Sequence, residues 1–400
     1  METPLLQIIH YTDMHLAPVG SDKTRWLLMR VFPSLWRHEW KQGLAGARRA
    51  VLPTFIDLIK ELTVDDPDQA WKDAPIWLVD TGDGTTFGDT ASLDEWQDWT
   101  NKFKQAAGPK ALLMRVYGNH DAWPATFPLR AGTQYAMNKQ RDMLRLHHFN
   151  TTWPQPPWTV PVPGTSTVTG GAQSQIELYA VNTVDHGLFM NTAALGVAAR
   201  DRHWTLHPTF PLDTPADDLA NQALAQPGGA AARHLRIAAM HYPVADDATP
   251  GHIWPTKVLW NRQRFARDLQ RHPSVTPLVA HLLLAGHTHM AFPGVGQLPR
   301  SASVATHTPL VAGQCQVVSA SLSQEILPGA PLKANEPWAE SCARISPYQC
   351  TVLRFYSQDH DPFEIIMDRA IAGADDTGIF SFLPLASGSL QTVERMAFRL

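Results

Sequence analysis

The sequence predicts a single layered α/β domain in which two sheets pack back to back. Three observations carry that expectation. Short apolar runs, readable as buried strands, recur at Leu5–Ile9, Ile76–Val79, Ala111–Tyr117, Ile176–Val181, Leu235–Ala239 and Leu282–Ala285. The first, second, third, fifth and sixth runs end in small or polar turns that carry the Asp, His and Asn residues considered below. No break in composition marks a second core, and these turns are spread from residue 13 to residue 289.

Taken in order, the first run leads into Thr12-Asp13-Met14-His15. Residues 53–62 read as a helix, with Phe55, Leu58, Ile59 and Leu62 on one face and Pro53 in the first turn. The second and third runs end in Thr81-Gly82-Asp83 and Gly118-Asn119-His120-Asp121. Residues 123–171 are rich in Pro, Trp, Thr and Gly and read as a loop over a site or surface. The fifth and sixth runs end in Met240-His241-Tyr242-Pro243 and Gly286-His287-Thr288-His289. Further strands are expected at Gln316–Ser319, Thr351–Phe355, Phe363–Met367 and Thr392–Arg399, with a proline-rich excursion over 326–347. The core is thus expected over 5–325, with 326–400 completing the sheet.

Composition excludes several classes. A formal charge of −4 over 400 residues argues against general nucleic-acid affinity. No apolar run is long enough to span a bilayer. The first metal-type motif arrives by Asp13, so no signal peptide is expected. Cys315, Cys342 and Cys350 are odd in number and lack close pair spacing, so neither a disulfide framework nor a thiolate zinc site is indicated. The expected setting is the cytoplasm. One local exception is basic: Lys23, Arg25, Arg30, Arg37, Lys41, Arg48 and Arg49 face a single acid, Glu39, between Lys23 and Arg49. Interleaved with Trp26, Trp36 and Trp40, this helical insertion suits either peripheral contact with an anionic membrane or a hairpin with its basic face in solvent.

The polar turns offer metal-type chemistry. Asp13 and Asp83 supply anionic oxygens, Asn119 a neutral carbonyl oxygen, and His15, His241, His287 and His289 imidazoles. That mixture suits Mn, Fe or Zn, and it exceeds what one ion needs. Two divalent ions sharing one carboxylate account for the number, and such pairs clamp a phosphoryl oxygen and activate water. His120, directly after Asn119, is a candidate general acid. Each motif has a bland counterpart. Asp13 alone could cap a turn, Asp83 alone could serve only a tight turn, and His241 alone could be a core histidine. The ordered set at successive strand exits is what a turn-by-turn explanation does not supply. Trp123, Trp153 and Trp158 could stack a base or cover a core edge.

With those residues in hand, the chain resembles the calcineurin-like metallophosphoesterases, in Asp13-x-His15, Gly82-Asp83, Gly118-Asn119-His120-Asp121, His241 and Gly286-His287-x-His289. The resemblance implies a four-layered α/β/β/α sandwich with a binuclear centre at the strand ends. It implies that Asp13, His15, Asp83 and His289 hold the first metal. Asp83 would bridge to a second, completed by Asn119, His241 and His287. His120 would act on the leaving group, with Asp121 orienting it. The chain departs from the family at Thr86, where an acidic or amide residue is common. It lacks the acidic-arginine signature of the protein-phosphatase branch after Gly82-Asp83, and the histidine of the nuclease branch. The bacterial phosphodiesterase branch is what remains. The expected function is phosphodiester hydrolysis of a small-molecule or cyclic-nucleotide-like substrate by a metal-held hydroxide. A phosphomonoesterase and a non-catalytic interaction module of the same fold are the alternatives.

Overall fold

In the computed structural model, the described residues are 2–16, 51–86, 88–121, 158–165, 173–181, 183, 234–243, 280–287, 315–319, 321–322, 348–374, 380–382, 390, 392 and 394–400. The basic insertion at 23–49 and most of the 123–171 loop lie outside them. Over the described residues the chain is a mixed α/β structure with two sheets. In chain order its elements begin with β1 (Glu2–Tyr11), α1 (Val51–Leu62), α2 (Gln69–Asp73), β2 (Ile76–Asp80), α3 (Thr90–Ala106) and β3 (Ala111–Arg115). There follow β4 (Trp158–Pro161), β5 (Gln175–Ala180), β6 (Leu235–Ala239), β7 (Leu282–Ala285) and β8 (Cys315–Val318). The last four strands are β9 (Tyr348–Gln358), β10 (Asp361–Ala374), β11 (Phe380–Phe382) and β12 (Glu394–Arg399).

The first sheet runs β11-β10-β9-β1-β2-β3, with β12 on β10; the second runs β4-β5-β6-β7-β8. Strands β1, β2 and β3 are mutually parallel, as are β5 to β8. Parallel strands deliver all their carboxyl ends to one edge of the sheet, and ligands of such sheets collect there.

Strand alternation explains the layering. Even residues of β1 (Leu6, Ile8) join Trp77 and Val79 of β2 in one core with Ile176, Leu178, Ile237, Leu282, Leu284 and Val317 of the second sheet. Odd residues (Ile9, Tyr11), with Ile76 and Leu78, meet Phe55, Leu58 and Ile59 of α1 and Leu93, Trp96 and Phe103 of α3. The two sheets therefore pack face to face, with helices on the far side of the first. Whatever lies on the outer face of the second falls outside the described residues.

Helix α1 buries Val51, Leu52, Phe55, Leu58, Ile59 and Leu62, the face that the periodicity predicts. Helix α3 starts at Asp89, whose side chain accepts from Ser92 N at 3.1 Å. It stops at Gly108, which takes a left-handed φ of 91° that a side chain would resist. One sequence expectation needs correction: residues 158–161, read as part of a loop, form β4 and pair with β5. Trp158 packs there against Trp77, ring centroids 6.1 Å apart, so it covers a core edge. Among the described residues, no helix is long and apolar enough to cross a membrane.

Candidate metal centre

The turns after β1 and β2 are zipped together beyond the regular ladder. Thr81 N donates to Tyr11 O (3.1 Å), Asp13 N to Gly82 O (2.8 Å), His15 N to Asp83 O (2.9 Å) and Leu16 N to Gly84 O (2.9 Å). Within this irregular pairing Asp13, His15 and Asp83 take φ of 54°, 46° and 52°, and His287 on the second sheet takes 68°. These are all the non-glycine residues with positive φ among the described residues, and each is a candidate ligand. A left-handed non-glycine residue costs about 1–3 kcal/mol.

Two motif glycines are required by close approach. A Cβ on Gly118 would sit 2.0 Å from Asp83 Oδ1, and one on Gly286 would sit 2.0 Å from Thr12 Oγ1 and 2.8 Å from Asp13 Oδ2. Each glycine thus lets a strand exit of its own press against a carboxylate turn from another strand.

Eight of the nine expected site residues lie at or beside one point: Asp13, His15, Asp83, Asn119, Asp121, His241 and His287 are buried, and His120 at their edge is partly exposed. His289 lies outside the described residues. Two groups of side chains are close enough to hold an ion, one of His15, Asp83 and His120, the other of Asp83, His241 and His287. Asp83 belongs to both. Its Oδ2 is 4.0 Å from His15 Nε2 and 3.3 Å from His241 Nε2, and its Oδ1 accepts from His120 N at 2.8 Å. Asp13 Oδ1 is 3.8 Å from His15 Nε2, while Asp13 Oδ2 accepts from His287 N at 3.0 Å.

The donor set fits a cation. His241 Nδ1–H donates to Thr81 O at 2.8 Å, so in the neutral ring Nε2 carries a lone pair. That lone pair faces Asn119 Oδ1 at 3.0 Å, His287 Nδ1 at 3.1 Å and Asp83 Oδ2 at 3.3 Å. Lone pairs turned on one another repel unless a positive charge sits among them. Ligand atoms each about 2.1 Å from one ion, at tetrahedral or octahedral angles, are about 3.0–3.4 Å apart. The protonation pattern agrees. Burial alone would lower His241, but Asp83 beside it, with Asp13 and the Thr81 carbonyl, pushes it up to about 9. Burial alone would raise Asp83, but His241, His120 and His15 hold it well below the usual carboxylate range.

His120 and Asp121 are held through the neighbouring turn at Thr85 and Thr86. His120 Nδ1 lies 3.0 Å from the Thr86 carbonyl, and its ring meets His15 edge-on with centroids 4.7 Å apart. Asp121 Oδ1 accepts from Thr85 N (2.8 Å) and Thr85 Oγ1 (2.9 Å), and its Oδ2 from Gly118 N (2.8 Å). Burial and the nearby Asp83 charge push Asp121 up to about 8 against those donors. These contacts make Asp121 a brace for the turn whose next carbonyl holds His120. Thr86, where the sequence departs from the family, supplies that carbonyl and donates its hydroxyl to His15 O at 2.7 Å.

Sequence reasoning missed the groups that act through the backbone. Thr81 offers its carbonyl to His241, Ser321 Oγ donates to Asp13 O at 2.8 Å, and Leu322 N donates to Thr12 O at 3.0 Å. Only their place directly after strand exits could have signalled them.

No family model matches the chain. No curated protein matches it either. Among solved structures it is similar to Thermus thermophilus sulfate thiohydrolase SoxB in complex with glycerol, at 11% identity and a TM-score of 0.36. The match covers 99% of this chain and 56% of that one, so the chain spans little more than half of that protein's length. At that identity and TM-score the likeness says nothing of chemistry.

Proposed function

We propose that this protein is a binuclear metal-dependent phosphoester hydrolase of the calcineurin-like type, a phosphodiesterase acting on a small-molecule or cyclic-nucleotide-like substrate. The observation that carries the reading is Asp83, a single buried carboxylate common to two adjoining groups of metal-type side chains. One carboxylate between two groups is what a bridged pair of ions requires. The described helix–sheet–sheet layers agree with the four-layered sandwich that the resemblance implies.

In this reading Asn119, His241, His287 and Asp83 hold one divalent ion, and Asp13, His15 and Asp83, with His289, hold the other. Bound ions of this kind lower the pKa of water and clamp phosphoryl oxygens. The chain's own groups do the rest. His241 is fixed in the tautomer that presents Nε2, because Thr81 O takes the proton on Nδ1. The Thr86 carbonyl likewise engages His120 Nδ1, which directs proton exchange to Nε2, where a leaving alkoxide would receive it. The partial exposure of His120, against the burial of the ligands, supports a place for it on the substrate side.

The test is a screen of phosphodiesters and phosphomonoesters with the chelator-stripped protein, with and without Mn²⁺. Hydrolysis of an aryl phosphodiester should appear only with the metal. Asp83→Asn should lose more metal and more turnover than Asp13→Asn, because a bridging group serves both ions. Near-wild-type metal content and activity in Asp83→Asn would overturn the binuclear reading.

A further inference from the structure

We propose that His10 is a positioning residue for the metal centre, holding Thr81 so that the Thr81 carbonyl fixes the ring of His241. This rests on the metal reading above and extends it to a residue in none of the motifs.

His10 is the penultimate residue of β1 and is fully buried. By strand alternation it shares the inter-sheet face with Leu6 and Ile8, where an apolar residue would be the default. A polar ring in such a place costs free energy unless its hydrogen bonds are made. His10 makes one: Nε2 is 3.0 Å from Thr81 Oγ1, and Nδ1 has no partner. A ring kept in a core for a single hydrogen bond points to that hydrogen bond as its task.

The bond also lies in a continuous line to the centre. Ser319 Oγ donates to His10 O at 3.1 Å, which pins the backbone beneath the ring. The ring grips the Thr81 hydroxyl, and the Thr81 carbonyl accepts from His241 Nδ1 at 2.8 Å. Across that ring, Nε2 meets Asn119, His287 and Asp83. Thr81 precedes Gly82, which has φ of 100°, so its peptide has latitude that a side-chain anchor removes. Burial, aided by Arg369 and opposed by Asp13, pushes His10 down to about 3, so the ring stays neutral and the grip is independent of ordinary pH.

The test is calorimetric Mn²⁺ titration of the full chain after chelator treatment, on wild type, His10→Leu, Thr81→Val, Thr81→Ser and the His10→Leu/Thr81→Val pair. Partners that orient a ligating histidine are worth about 10–100-fold in metal affinity. His10→Leu and Thr81→Val should each weaken one of the two ions by about that factor and leave the other within about twofold. The paired variant should be no weaker than either single one, and Thr81→Ser, which keeps the hydroxyl, should bind like wild type. If His10→Leu does not fold, Thr81→Val carries the same test, since it keeps the shape and the carbonyl. Unchanged affinities in folded variants, with only a lower melting temperature, would make His10 a purely structural residue and overturn the proposal. No Mn²⁺ uptake by the wild-type chain would overturn the metal reading itself, and this inference with it.

Discussion

His120 is tied at two atoms, its backbone N–H to Asp83 Oδ1 and its Nδ1 to the Thr86 carbonyl. Losing the ring while keeping the backbone bond separates chemistry from metal binding. His120→Ala should retain both ions by elemental analysis and lose about 10²–10⁴ in turnover on alkyl phosphodiesters. The loss should shrink for nitrophenolate, which departs without a proton. Equal losses would assign the ring to phosphate binding, and loss of an ion would make it a ligand, a role its grouping with His15 and Asp83 allows. The side chains of the centre were legible because each is polar where a buried strand has just ended. His10 and Thr81 were not. One acts from inside an apolar face and the other through a carbonyl, and every residue has a carbonyl. Asp121 was legible as a site residue, but its observed bonds go to Thr85 and Gly118, a choice of neighbours that only folded loops reveal.

Strand β2 and helix α3 meet through a buried carboxylate just short of the centre. Asp80 Oδ1 accepts from Gly82 N at 3.0 Å and Oδ2 from Trp96 Nε1 at 2.7 Å. Burial pushes Asp80 up to about 7, against those two donors and Arg115 and with a small addition from Asp13. A carboxyl that holds its proton more tightly folded than unfolded adds stability that is complete below its ordinary 3.8 and lost as pH rises through about 7. In the metal-free protein, Asp80→Asn should therefore flatten the fall in melting temperature between about pH 4 and 7, even if its absolute stability drops. An unchanged slope would mean that the carboxylate stays ionised on its donors. At this scale α1 was legible from its periodicity. The short edge strand β4 was not, because it ends in Pro161 within a proline-rich stretch and takes its order from β5 alone. Strand β10 extends well past the expected 363–367, to Ala374, because β9 pairs with it along most of its length.

The centre draws on both sheets: Asp13, His15, Asp83 and Asn119 follow strands of the first, His241 and His287 strands of the second. Its geometry is therefore set by how the sheets seat on one another, through Ile8, Trp77, Leu178, Ile237 and Leu284. Leu284→Ala, three residues before His287 and fully buried, should cost about 2–5 kcal/mol in denaturant unfolding. It should also weaken Mn²⁺ binding, whereas Leu62→Ala, on the helix side, should cost comparable stability and leave Mn²⁺ binding nearly unchanged. Equal effects on the metal would mean that sheet seating does not control the site. That two sheets converge was legible in the order of the motifs. The placing of β9 between β10 and β1 was not, since pairing across more than three hundred residues leaves no local trace.

The left-handed backbone at Asp13, His15, Asp83 and His287 reverses an ordinary ranking of substitutions. Elsewhere in a fold alanine usually outlasts glycine. At these positions glycine relieves the backbone and alanine does not, so metal-free His15→Gly should melt above His15→Ala. The same holds for His287. For the two aspartates, glycine is a single base change away in every codon. A variant library heated and selected for survival alone, with no demand on metal binding, should accumulate glycine at these positions and erase the centre while improving the protein that surrounds it.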